Sequence, residues 1–292
     1  MAEQNRNMTD EVLSQQLRRR RGGKWGGKLL SLLGVVIAVA GILLGGNLVL
    51  IVFGGIVLAL GQAVQSRSKE QAGQQTFDAM APDIAGTVLE NVQMNPTPPL
   101  LNAEDTNIPL PRHTYCSGSG YIRGVYRGAT TELCTIKLTE EDEFLREETG
   151  LWEKNEREVY TGQWLLCQLN LEFPTWLTIW PRGTLDKLSG GKTIKTGSEA
   201  FDKRFLLTGG DEAAVLRILT PNRLERLLAL SDASFGKFAV NLNPDGRLYL
   251  AVHSGRGFFQ IGKGHENPAQ LRERFVRELT WFTDMIDVFR SV

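Results

Sequence analysis

The chain has 292 residues, 33 basic and 33 acidic, so its formal net charge is zero. That length is enough for one or two domains. Balanced charge without a dense basic face excludes a protein-wide nucleic-acid surface. Three cysteines, Cys116, Cys134 and Cys167, are an odd number without CxxC spacing, which excludes a disulfide frame and points to reduced thiols. The three histidines, His113, His253 and His265, stand at no ligand spacing to them, so no metal site is expected.

Charge is unevenly placed. Residues 1–28 hold seven basic and three acidic side chains, a net of +4, which leaves −4 for the rest. Residues 1–25 read as a basic cytoplasmic arm. Its arginine run either binds anionic lipid head groups or only sets topology. An apolar run follows, without charge from Leu29 to Leu60. About 36 residues would make one helix of about 54 Å, too long for a single pass. Gly45-Gly46-Asn47 favours a turn. The expectation is therefore a transmembrane helical hairpin over 26–65, with helices near 26–44 and 48–65. Arg18, Arg19, Arg20, Arg21, Trp25 and Lys28 are its expected membrane-interface residues. Gly34, Ala38, Gly41, Gly45, Gly54 and Gly61 are its expected helix-packing residues, within one hairpin or between copies. Basic flanks on both sides imply a multi-pass protein of the cell inner membrane with both termini cytoplasmic.

Residues 66–112 read as a helical stalk and Pro-rich linker. Phe77, Met80, Ile84, Val88, Leu89 and Val92 recur at helical steps, and five prolines follow between Pro96 and Pro111. Residues 113–292 read as a cytoplasmic α+β domain. "GYIRGVYRGATTELCTIKL" alternates as strands do. "LTEEDEFLREETGLWEKNERE" reads as a solvated loop or short helix. Its cluster Glu140 to Glu143 lacks the turn glycine of a calcium loop. "VYTGQWLLCQLNLEF" and "TWLTIWP" are further strands. Thr220 and Pro221 open a helix as N-cap and first-turn residue. "KFAVNLNPDGRLYLAVH" is a hairpin turning at NPDG. Leu271, Phe275, Leu279, Phe282, Met285 and Phe289 stripe a terminal helix whose other side carries Arg272, Glu273, Arg277 and Glu278.

No catalytic set emerges. "GFFQIGKG" has P-loop spacing, but Gly264 stands where a hydroxyl residue is needed; "SGGKT" has Asp186 where the first glycine belongs. His253-Ser254-Gly255-Arg256 is either an anion-binding corner or an ordinary polar loop. There is no G-x-S-x-G elbow.

The segments "EAFDKRFLLTGGDEAAVLRILTPNRLERLLAL" and "FAVNLNPDGRLYLAV", with "GYIRGVYRG" and "YTGQWLLCQLNLEF" before them, resemble a bacterial membrane-associated family. That family is the domain of unknown function numbered three-one-three-seven, and the likeness covers roughly residues 30–260. Departures are Tyr160, Trp164 and Gly209-Gly210 before Asp211. The resemblance implies an anchored cytoplasmic domain and transfers no catalytic residue.

The fold class expected is α+β: an N-terminal two-helix transmembrane hairpin followed by a mostly antiparallel β domain with packed helices. The function expected is a membrane-anchored cytoplasmic adaptor or scaffold acting by binding, without enzyme activity or cofactor. Its expected partners are the lipid bilayer and a protein, either another protein or its own copy in a homo-oligomer, and not nucleic acid. The alternatives are an enzyme whose site is invisible in sequence, or a hairpin that oligomerises.

Overall fold

The structure is a computed structural model. It describes residues 80–146, 151–183, 192–260 and 267–290, with short stretches at 32–33, 35–37, 39–40, 52 and 55–58. The chain divides into two compact units. One is Met1–Ala81 with Phe259–Arg272, the other Pro82–Phe258 with Glu273–Val292.

In the first unit the described stretches between 32 and 58 are helical, and Leu32, Leu33, Val35, Val36, Val39, Val52 and Ile56 are exposed. Asn267 and Gln270 exchange hydrogen bonds, the Asn267 Oδ1 accepting from Gln270 N and the Gln270 Oε1 from Asn267 N. This reciprocal pair opens the terminal helix as a capping box does.

One expectation is corrected here. Among the described residues no helix is long and apolar enough to cross a membrane. Spanning the hydrocarbon core takes about 20 consecutive apolar residues in one helix. The two-helix transmembrane hairpin is therefore withdrawn from the fold class. The membrane and transmembrane assignment and the multi-pass inner-membrane location are withdrawn with it. Arg18, Arg19, Arg20, Arg21, Trp25 and Lys28 lie outside the described residues, as do Gly34, Ala38, Gly41, Gly45, Gly54 and Gly61.

The second unit is built on an eight-stranded sheet in which every pairing is antiparallel. In chain order the strands are β1 (Glu90–Met94), β2 (Tyr115–Tyr126), β3 (Ala129–Arg146), β4 (Leu151–Gln168), β5 (Leu177–Pro181), β6 (Phe205–Gly209), β7 (Lys237–Leu242) and β8 (Arg247–His253). Their order across the sheet is β1-β2-β3-β4-β8-β7-β5-β6. The helices are α1 (Glu199–Arg204), α2 (Glu212–Ile218), α3 (Pro221–Asp232) and α4 (Pro268–Arg290).

Local chemistry explains several boundaries. Thr220 Oγ1 accepts from Arg223 N and Pro221 occupies the first turn of α3, as N-cap preference requires. The β7–β8 turn closes with Gly246 N donating to Asn243 O, and Gly246 sits at φ +79°. A Cβ there would lie 2.2 Å from Leu171 O, so only glycine fits both the angle and the space. The helical spacing read through Val92 breaks earlier. Residues 82–85 are helical, Gly86 N still donates to Pro82 O, and then β1 pairs with β2.

The charged segment expected as a loop or short helix is instead a paired ribbon. Thr139–Arg146 of β3 faces Leu151–Glu158 of β4. Opposed charges replace apolar contacts as the cross-strand glue: Arg157 pairs with Glu140, and Lys154 with Glu141 and Glu143.

Period-two alternation gives the sheet two buried faces. One carries Leu165, Ile179, Phe205, Phe238, Val240, Leu250 and Val252. Helices α1 and α3 and the Glu273–Arg290 part of α4 lie on this side. Phe205 meets Phe201 and Phe238, Phe238 meets Trp281, and Phe258 meets Phe282. Trp281 Nε1 donates to Leu230 O and Arg223 Nε to Val288 O, which ties α3 to α4. Phe275, Leu279, Phe282, Met285 and Phe289 are all buried. Glu278, grouped with the solvated side by sequence, is buried too. Arg256 and Gln163 Nε2 donate to its carboxylate.

The opposite face carries Cys134, Ile136 and Leu138 of β3, Tyr160, Trp164 and Leu166 of β4, Trp180, Ala239, Tyr249 and Ala251. No helix covers it. The Pro-rich segment 95–114 between β1 and β2 crosses it as a strap, burying Leu101, Ala103 and Ile108 against it. The strap is pinned by Glu132, whose Oε1 accepts from Leu100 N and Leu101 N while Oε2 accepts from Arg123.

Candidate functional site

Strap and sheet do not meet everywhere. Between them lies a cavity of about 510 Å³, within the size range of small-molecule sites. Its origin is a row of four side chains across four strands. Trp164 of β4 stands opposite Ala251 of β8, and Ala251 opposite Ala239 of β7. Trp180 of β5 follows one residue beyond the Ile179–Val240 pair. Two alanines between two tryptophans leave a trough. Strands lie about 4.8 Å apart, so the tryptophan backbones stand about 14 Å apart across three spacings. Ile108, Pro109, Leu110 and Pro111 of the strap form the other wall.

The polar groups gather at one end. Arg182 follows β5, Lys237 starts β7 and His253 ends β8; Lys237 and His253 are cross-strand partners. Arg182 Nε donates to Asp202 O, a backbone carbonyl. Among the described residues none of the three is paired with a carboxylate, and no Asp or Glu lines the cavity. The His253 ring packs on Tyr160 at 4.7 Å. Burial, then the Lys237 ammonium, hold its imidazole below the usual histidine range. This end is therefore a cationic mouth on an apolar trough.

Inside, the two indoles differ. Trp164 Nε1 donates to Tyr160 Oη at 2.9 Å. Burial pushes the Tyr160 phenol up, so it stays protonated at neutral pH. Trp180 is 2 % exposed, yet its Nε1 has no hydrogen-bond partner among the described residues. A buried donor without an acceptor costs about 1–3 kcal/mol.

The floor also depends on Gly162. A Cβ there would lie 2.4 Å from both Val252 O and Tyr160 Oη. Gly162→Ala should therefore displace the β8 carbonyl and the tyrosine, costing about 1–3 kcal/mol as overpacking does. Chemical denaturation measures it; an unchanged midpoint would mean the strands part without strain.

The motifs singled out by sequence land elsewhere or apart. His253 enters the cavity, while Ser254 donates to Gln163 Oε1 and Arg256 pairs with Glu278. The supposed corner is thus split between two faces of the sheet. Lys192 pairs with Glu212 on the surface, whereas Lys263 lies outside the described residues. All three cysteines are free, with Cys134 and Cys167 buried and their thiols pushed up chiefly by burial. Sequence reasoning missed the trough. Its only local trace is two alanines inside strands otherwise rich in large side chains.

Residues 158–290 match the family described as "Protein of unknown function (DUF3137)". This stretch of the chain is similar to that family. It begins within β4 and ends with α4, whereas the likeness read from sequence ran from about residue 30 to 260. The tryptophan–alanine row and the cationic mouth fall inside the DUF3137 stretch; the strap falls outside it. No curated protein matches the chain. A solved structure titled "crystal structure of the mycobacterial trehalose monomycolate transport factor A, TtfA" is similar over 60 % of this chain and 75 % of that one, at 11 % identity and a TM-score of 0.31. A likeness at that score carries no argument for this chain.

Proposed function

We propose that the β-sheet unit acts by binding, as an adaptor whose ligand lies in the trough between strap and sheet. The supporting observation is the Trp164–Ala251–Ala239–Trp180 row beneath a strap of Ile108 to Pro111. Apolar walls of this kind gain about 25 cal/mol for each Å² taken out of water. The polar groups sit at the mouth, where they orient a ligand and leave the interior apolar.

An uncharged apolar dye tests the reading. N-phenyl-1-naphthylamine should brighten on mixing with the full chain and saturate. Ala251→Trp fills the trough from its floor without touching the helix side. It should abolish the signal and leave the melting temperature near that of the parent. Brightening that persists in Ala251→Trp would place the dye elsewhere and remove the trough as the site.

A further inference from the structure

We propose that the ligand of the trough is an amphiphilic anion, a single aliphatic chain ending in a carboxylate. The chain lies over Ala239 and Ala251 between the two tryptophans, and the carboxylate sits at the Arg182–Lys237–His253 end. The proposal rests on the binding reading above and names its ligand class.

Three observations carry it. The first is the mouth. Arg182, Lys237 and His253 converge from three strand ends, and among the described residues no carboxylate is paired with any of them. An anion entering there meets two fixed positive groups, Arg182 and Lys237, with the His253 ring beside them, and no lining acid among the described residues.

The second is the Trp180 indole. Alternation along β5 puts Trp180 and Arg182 on the same face, two residues apart. Trp180 lines the cavity, and its buried Nε1 has no hydrogen-bond partner among the described residues. The Arg182 guanidinium on that face suits a planar carboxylate, which has four acceptor positions on two oxygens.

The third is what the rest of the trough withholds. Pro109 and Pro111 have no N–H. The floor strands β4, β8, β7 and β5 are interior to the sheet, so their backbone groups are used in their own ladders. A peptide laid along the trough would bury amides without partners, at a cost that an aliphatic chain does not incur. The occupant is thus a lipid-type chain rather than an extended peptide.

The test is displacement of N-phenyl-1-naphthylamine from the full chain by dodecanoate, by dodecanol and by tetraleucine with a free carboxylate. Dodecanoate should displace the dye at a concentration lower than dodecanol by about tenfold or more, the worth of a charge-assisted hydrogen bond. Lys237→Gln should narrow that gap and Arg182→Gln/Lys237→Gln should close it, both leaving dodecanol unchanged. Lys237 is exposed and touches no carboxylate, so its single variant keeps the test valid if the double variant folds poorly. Equal potency of dodecanoate and dodecanol on the parent chain would overturn the anion assignment and leave apolar binding standing. Dye that never binds would defeat the binding reading itself. Tetraleucine outcompeting dodecanoate would overturn the aliphatic assignment in favour of a peptide terminus.

Discussion

Replacing Glu132 by glutamine is expected to release the strap over residues 95–112 and to cost about 3–5 kcal/mol, the usual penalty for removing one partner of a buried pair. The Glu132 side chain is 0 % exposed. One carboxylate oxygen accepts from two backbone N–H groups of the strap, Leu100 and Leu101 at 2.7 and 2.8 Å, and the other from Arg123 at 2.8 Å. A carboxamide has one acceptor oxygen where the carboxylate has two. Glutamine must leave either the strap amides or the guanidinium unserved, and its NH₂ then faces other donors. Because Leu101, Ala103 and Ile108 hang on this anchor, their burial weakens with it. Limited proteolysis should cut the variant between 95 and 112 well before the parent, and the denaturation midpoint should fall. Glu212→Gln is the control. Its exposed pair with Lys192 is worth at most about 1 kcal/mol. A Glu132 variant as resistant as the control would show that apolar contacts alone hold the strap. The same variant should lose dye binding, since the strap is one wall of the trough.

Phe282→Ala should lower stability by about 3–5 kcal/mol, the cost of truncating a buried phenylalanine. That is a large part of the 5–15 kcal/mol typical of folded domains. Phe282 is fully buried, with its ring 5.4 Å from Phe258, 6.1 Å from Phe235 and 5.2 Å from Trp281. Its neighbours belong to a loop, to the approach to β7 and to α4 itself, so collapse into the space is hindered from three sides. Thermal melting of the full chain reads the effect. Were the Phe275–Leu279–Phe282–Phe289 stripe a docking surface for another molecule, Phe282→Ala would melt like the parent.

That stripe was legible because helical periodicity is local: each apolar residue is three or four positions from the next. Glu278 was not. It sits among the same spacings and reads as one more solvated charge, and its burial depends on Arg256 and Gln163, from distant elements, together with Arg274 one turn away. Glu132 was hidden for the same reason. The charged ribbon was misread because propensity disfavours acidic residues in strands, while Arg157 and Lys154 supply the cross-strand partners only once β3 and β4 pair.

By itself, then, the sequence determined what depends on near neighbours along the chain. It specified the Phe238–Val252 hairpin with its NPDG turn, the Thr220 cap with Pro221 behind it, the extended run of prolines from Pro96 to Pro111, and the absence of a disulfide frame. The apolar run over 26–65 was read from the same kind of local pattern, and it led to a membrane hairpin that no described helix is long and apolar enough to form. Tertiary structure alone decided the trough. Trp164, Trp180, Ala239 and Ala251 come from four strands, and nothing in a strand's own alternation tells which residue of another strand will lie beside it. Register sets two small side chains between two large ones, and the strap, held by Glu132, roofs them over. Strand order then brings Arg182, Lys237 and His253 to one mouth. The site is a property of pairing, and pairing is non-local.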